Sequence, residues 1–165
     1  MITLNNIKNY FGTKMVVPNR NASVEAFLTQ KEKQILFSIG LPEVNTGGGV
    51  DSLVFSNLSI YNDVYVPIYK NSLSPDDMWV SLNTETHKIA LISFEKIIEQ
   101  PMSLENMLYY VYVYNKFLEE EELNNNYPEN EDFADELERR FSEDSEAYKE
   151  SYWEGVLWEL RNGVY

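Results

Sequence analysis

Between Val64 and Phe94 the apolar residues alternate with polar ones or run together in short blocks, whereas on both sides of that stretch they recur at every third or fourth position. A period near 3.6 marks a helix that buries one stripe, and a period of two marks a strand that buries one face. A chain that changes period twice must pack both kinds of element on one another. The order helices, meandering sheet, helices predicts an α+β fold, with an antiparallel or mixed β-sheet flanked by N-terminal and C-terminal helices. The length of 165 residues and a hydrophobic content of 44% suit one such unit with its own core. A single domain over residues 1–165 is expected, with an acidic helical part over 117–165.

Local punctuation sharpens this order. Leu4, Ile7 and Phe11 share a helical face that Thr3 can cap and Gly12 can end. Met15, Val16 and Val17 before Pro18 form a short extended piece. Thr29-Gln30-Lys31-Glu32 has the capping-box pattern, in which hydroxyl and carboxylate each satisfy an orphan amide. The helix it opens carries Ile35, Leu36 and Ile39 and stops at Gly40 and Pro42. Leu53 to Tyr61 is expected to be strand, with its alternation slipping at Ser56-Asn57. Pro67 has no N–H for a ladder, which predicts an edge strand or a bulge. Met78–Leu82 and Ile89–Phe94, joined by Asn83 to His87, predict an antiparallel hairpin whose second strand is central and covered.

Past Ser103, the residues Leu104, Met107, Leu108, Val111 and Leu118 share a helical face. The stretch Glu119 to Pro128 breaks that pattern. A second helix carries Phe133, Ala134, Leu137 and Phe141. A third carries Tyr148, Tyr152, Val156 and Leu160 beside Trp153 and Leu157, and closes at Asn162-Gly163. Trp153 and Leu157 stand one turn apart and are expected to be buried against the rest of the chain.

Charge and absences bound the function. The chain has 27 acidic and 13 basic residues, a formal net charge of −14. From Phe117 onward there are 16 acidic and 4 basic residues, a net of −12. Such a field repels phosphate backbones and anionic lipid, so neither nucleic-acid nor membrane binding is expected. It suits a basic partner, and it also serves plain solubility. The absence of cysteine removes disulfides, a thiolate nucleophile and Cys-type zinc sites. No run reaches the ~18 apolar residues that span a bilayer. Met1 to Lys8 shows no signal-peptide pattern, so a cytoplasmic protein is expected, and a monomer is favoured. In that setting the triplets Asn21-Ala22-Ser23 and Asn57-Leu58-Ser59 match the glycosylation pattern by chance.

The residues that might carry chemistry are few. His87 is the only histidine and falls in the hairpin turn, with no nucleophilic serine motif beside it. Gly47-Gly48-Gly49 leads into Val50-Asp51-Ser52 and a strand, not into the Lys-Ser/Thr pair and helix of a phosphate loop. Asp76-Asp77 and the Glu119–Glu122 run have the ligands for a divalent cation or for acid–base work, but so acidic a chain has such neighbours by chance. No catalytic residue, metal ligand or cofactor is therefore expected. Tyr109, Tyr110, Tyr112 and Tyr114 crowd one helix, and Tyr65 and Tyr69 are expected on one strand face opposite the aliphatics. Either these rings cover the sheet beneath the last helices, or some of them anchor a protein interface. The candidate partner-binding residues are Tyr61, Tyr65, Tyr69, Asp76, Asp77, Glu119, Glu120 and Glu121.

Three segments in order resemble the SUKH superfamily, in particular its fourth immunity-type branch. They are the helix ending Ile39-Gly40-Leu41-Pro42-Glu43, the hairpin Met78 to Ser93 followed by Ser103-Leu104-Glu105-Asn106-Met107-Leu108, and the closing segment from Tyr152-Trp153 through Leu157, Glu159 and Leu160 to Gly163. The resemblance covers Thr29 to Gly163. The chain departs from the branch pattern at Gln100-Pro101-Met102, where an Asn and a small residue are usual, and in the long loop Leu123 to Asn130. The resemblance implies an α+β binding protein that neutralises a bacterial polymorphic toxin by direct contact, with no catalytic residue carried over. A regulatory adaptor of the same fold, acting in cell-envelope or signalling control, is the alternative. A carboxylate-only hydrolase is a further one.

Overall fold

The computed structural model describes residues 1–47, 51–75, 77–94, 96–123 and 130–164. The helix starts marked in the sequence are made. Thr3 caps α1 (Leu4–Phe11): its hydroxyl accepts from the Asn6 amide, and the Asn6 side chain accepts from the Thr3 amide. Gly12 ends α1, and β1 (Met15–Val16) follows. Asn21 caps a short α2 (Ala22–Glu25), accepting from the Ser23 amide and donating to the Leu58 carbonyl. The side chain in the glycosylation-like triplet is thus engaged within the fold at both of its polar atoms. The Thr29–Glu32 box opens α3 (Gln30–Gln34) with both reciprocal bonds present. A single π-type turn, Ile35–Ile39, follows and ends at Gly40, whose φ is 91°. There β1 pairs antiparallel with β2 (Leu41–Pro42), and a Cβ on Gly40 would stand 2.8 Å from the Val16 carbonyl oxygen. Only glycine fits that approach.

The main sheet holds β3 (Ser52–Val54), β4 (Tyr65–Asn71), β5 (Met78–Asn83), β6 (Ile89–Ser93) and β7 (Ile97–Glu99), antiparallel and in sequence order. The expected β5–β6 hairpin is present, and β6 is interior. The constraint at Pro67 resolves as a bulge in an interior strand: the register skips from Pro67 opposite Ser81 to Tyr69 opposite Val80. That extra residue corrects the expectation that Tyr65 and Tyr69 share a face. Tyr69 turns to the side of Val66 and Val80 and is fully buried, while Tyr65, opposite Asn83, is on the other side. The strand expected over Leu53–Tyr61 shrinks to β3. The chain then loops back, with bridges from Asn57 to Asn19 and from Tyr61 to Tyr65. The three residues of β7 are too few to show a period and are absent from the sequence reading.

Three helices complete the chain: α4 (Leu104–Leu123), α5 (Asn130–Ser142) and α6 (Tyr152–Asn162). Helix α4 continues through Glu119–Glu122 despite the break in its apolar pattern. Every residue from Met107 to Tyr114 is buried, so this part of α4 has no solvent face. Its neighbours explain why. Tyr112 packs edge-on against Tyr10 and Phe11 of α1, Tyr110 meets Phe141 of α5, and Tyr114 meets Trp153 of α6. The hydroxyls of Tyr109 and Tyr110 find partners in the Arg140 carbonyl and in Ser145, as buried phenols require. These tyrosines cover the core and are not a surface. Trp153 and Leu157 are buried as expected, at 0% and 1% exposure. Tyr148 is buried too, but it lies before α6, which starts at its Ser151 cap and ends at left-handed Gly163. One cluster of buried side chains runs from Ile7 to Leu160. Among the described residues no helix is long and apolar enough to cross a membrane.

Candidate functional site

Strand β5 divides the sheet into two faces. Val80 and Leu82 point with Val66, Tyr69 and Ile89 into the core shared with the helices. Trp79 and Ser81 point the other way, with Lys70 and Pro67 on β4, Ile92 and Ala90 on β6, and Ile97 and Glu99 on β7.

Aromatic side chains gather on this outer face. The Tyr61 ring stands edge-on to Trp79 with centroids 5.5 Å apart, and Phe55 meets Trp79 the same way at 6.0 Å. The Lys70 ammonium lies 5.2 Å from the Phe55 centroid. The Trp79 indole N–H donates to the Pro75 carbonyl at 3.0 Å, which fixes the ring in its plane. Two main-chain bonds between Tyr61 and Tyr65, of 2.7 and 2.9 Å, hold the Tyr61 loop against the start of β4. Tyr61 remains 38% exposed and Phe94, at the end of the β5–β6 hairpin, 84% exposed. With Trp79, Ile92 and Ser93 they line a shallow cavity of about 340 Å³. An exposed apolar surface of this kind, rigid and aromatic, is the usual signature of a contact site for another protein.

The candidate residues separate clearly. Tyr61 is at the centre of this shelf. Asp77 is exposed two residues from Trp79, with its amide donating to the Ser74 carbonyl at 3.1 Å. Asp76 lies outside the described residues. Tyr65 is half-buried and contributes main-chain bonds to the shelf. Tyr69 does not belong to any surface: its hydroxyl donates to the Pro42 carbonyl at 2.9 Å, and burial pushes its ionisation well above the ordinary tyrosine range. Its candidacy for partner binding is overturned by the Pro67 bulge, which no alternation count reveals.

Glu119, Glu120 and Glu121 sit elsewhere, near the C-terminal end of α4. Glu119 accepts from the Tyr10 hydroxyl at 2.7 Å and so ties α4 to α1. Glu120 accepts from Arg140 at 2.7 Å and lies 3.9 Å from Lys116. Glu121 has no hydrogen-bond or ion-pair partner among the described residues. The four cations of the C-terminal part are all held by carboxylates: Arg139 by Glu136 and Glu143, Arg140 by Glu120 and Glu136, Lys149 by Glu146, and Arg161 by Asp135 and Glu138. Bonds from Arg139 and Arg140 draw the Glu136 carboxyl down to about 2. Glu120, Asp135 and Glu138 thereby join helices, while the other pairs are local to one helix or turn, which the sequence count of charges does not disclose.

His87 occupies the hairpin turn at a φ of 57°, and its Nδ1 lies 3.1 Å from Oε1 of Glu32. Glu32 is buried and at the same time closes the α3 capping box, so the pair links the hairpin to α3. Among the described residues no three potential metal ligands come together. A second shallow cavity, about 260 Å³, lies between α4, α5 and Ile2 and has Glu143 as its one lining carboxylate. The shelf cavity has none among the described residues. Trp79, Ile92 and Phe94 were missed as site residues. The available signal was Trp79 itself, a large ring on the strand phase opposite Val80 and Leu82. No protein-family model, no curated protein and no solved structure matches the chain.

Proposed function

We propose that this chain is an immunity protein that neutralises a cognate bacterial polymorphic toxin by binding it directly, with the outer face of the sheet as the centre of contact. The observation that carries the reading is the exposed Tyr61, locked edge-on against a half-buried Trp79, in one shallow cavity with the exposed Phe94. Fixed aromatic rings give a large contact area at little cost in rotamer freedom, which is what an interface centre needs. The resemblance to the SUKH superfamily supplies the class of partner, and the net charge of −14 favours a basic toxin domain.

The test is surface plasmon resonance against the protein encoded by the adjacent gene. Wild type should bind it. Tyr61→Ala should speed dissociation roughly tenfold or more, because truncating an interface-centre aromatic acts on the off-rate. Absence of binding to the neighbour's product removes the immunity reading. Binding that is indifferent to both Tyr61→Ala and Trp79→Ala moves the contact away from this face.

A further inference from the structure

We propose that the edge of β7 takes up an extended segment of the partner as a sixth strand, with an apolar side chain of that segment packed beside Ile97 on the Trp79 face of the sheet. This rests on the binding reading above and adds the form of the recognised segment. The β6–β7 ladder sets which groups are free. The Ser93 amide donates to the Lys96 carbonyl at 3.0 Å, the Gln100 amide donates to the Ile89 carbonyl at 2.7 Å, and Leu91 is opposite Ile98 between them. In an antiparallel pair, residues that turn their backbone groups toward one neighbour alternate with residues that turn them away. Lys96, Ile98 and Gln100 therefore face β6, and Ile97 and Glu99 present their N–H and C=O groups outward. Among the described residues no main-chain bond outside the sheet engages Ile97 or Glu99.

The opposite edge of the sheet is closed by the chain itself. There the Ser52 amide donates to the Val44 carbonyl and the Val54 amide donates to the Glu43 carboxylate, both at 3.0 Å. At β7 the middle of the edge is two exposed isoleucines, Ile97 at 39% and Ile98 at 40%. Proteins that avoid edge pairing put charge, proline or a bulge at such positions. Here the charges, Lys96 and Glu99, are at the ends.

The surroundings select the occupant. Ile97 lies opposite Ile92 on the Trp79 side of the sheet, so a strand added to β7 lays alternate side chains beside Ile97 on that face. The exposed Ile97 favours an aromatic or branched aliphatic neighbour there. Glu99 at one end of the edge, in a chain of net charge −14, favours lysine or arginine at that end of the segment. A second copy of this chain brings the same charge. Pairing two three-residue edges also falls well short of the ~1,200 Å² that stable interfaces bury.

The probe is a synthetic peptide, Lys-Val-Tyr-Val-Thr-Lys, titrated to millimolar concentration into ¹⁵N-labelled protein. The largest amide shifts are expected at Ile97 and Glu99. Ile97→Pro removes an outward N–H and leaves the β6 ladder intact, so it should keep the spectrum folded and abolish the response at Glu99, while Ile97→Val retains it. No shift at these amides, or shifts indifferent to Ile97→Pro, overturns strand addition. The adjacent-gene experiment with Tyr61→Ala decides the binding reading separately, so failure of one is not failure of the other.

Discussion

A Cβ built on Gly47 would stand 2.8 Å from the Trp153 ring, so the loop after β2 and the first turn of α6 are in direct contact through a glycine. The φ of Gly47, 101°, is a further bar to any side chain there. Gly47→Ala should cost about 1–3 kcal/mol, as overpacking does. Trp153→Ala empties a fully buried site and should cost roughly 3–5 kcal/mol. Urea melts followed by circular dichroism measure both. A Trp153→Ala protein within about half a kcal/mol of wild type would show that α6 is a loose appendage.

The capping box and the hairpin turn meet at Glu32. Glu32→Ala leaves the Thr29 amide and His87 without their acceptor and should cost about 1–2 kcal/mol. Glu32→Gln keeps an acceptor at the same place and should cost less than half as much. Equal losses in thermal melts would show that the carboxylate contributes by charge alone.

Stability should fall at both ends of the pH scale for assignable reasons. Glu136 is held down to about 2 by its bonds from Arg139 and Arg140. A lowered carboxyl stabilises the fold above its unfolded value near 4.5, and that contribution is lost as pH falls toward 2. Tyr109 and Tyr148 are raised to about 12, chiefly by burial, with the Glu138 carboxylate beside Tyr148 and the charges of Glu143 and Asp144 near Tyr109 adding to it. A raised tyrosine stabilises the fold below about 10, and its contribution drains away between 10 and 12. Glu136→Gln should flatten the acid limb, and Tyr148→Phe should flatten part of the alkaline one. An acid limb unchanged in the Gln variant assigns it to other carboxylates.

Capture of a basic partner should be steered by unpaired charge. Reversing Glu119 or Glu120 also breaks the bond to Tyr10 or the pair with Arg140, so Glu121→Lys is the cleaner variant. It should slow association with the adjacent gene's product, flatten the salt dependence and leave dissociation and stability nearly unchanged. The salt dependence follows from a screening length that shrinks from about 10 Å at 0.1 M to about 3 Å at 1 M. An association rate that does not respond to salt discards steering while leaving the aromatic contact standing.

The order of elements, the Thr3 cap, the Thr29–Glu32 capping box, the β5–β6 hairpin and the burial of Trp153 were legible because each depends on residues close in sequence. The misreadings are of another kind. Whether Tyr69 faces core or solvent depends on one extra residue at Ile68, and a single-residue slip reverses every side chain beyond it. The burial of Tyr109, Tyr112 and Tyr114 depends on α5, α1 and α6 arriving from distant parts of the chain. Glu119 and Glu120 were legible as acids but not as partners of Tyr10 and Arg140. Of the residues that line the shelf, the sequence singled out Tyr61, while Trp79, Ile92 and Phe94 passed as ordinary members of apolar runs.

The eight residues of α4 with no solvent face carry one more consequence. Their amide protons can exchange with solvent only when α1 on one side and α5 and α6 on the other have both let go. These amides should therefore be the slowest in the molecule, exchanging at the rate of global opening, while those of β7 exchange with local fraying. The acidic helices should then not melt first as a tail, and exchange of these amides at the rate of global unfolding is the measurement that checks it.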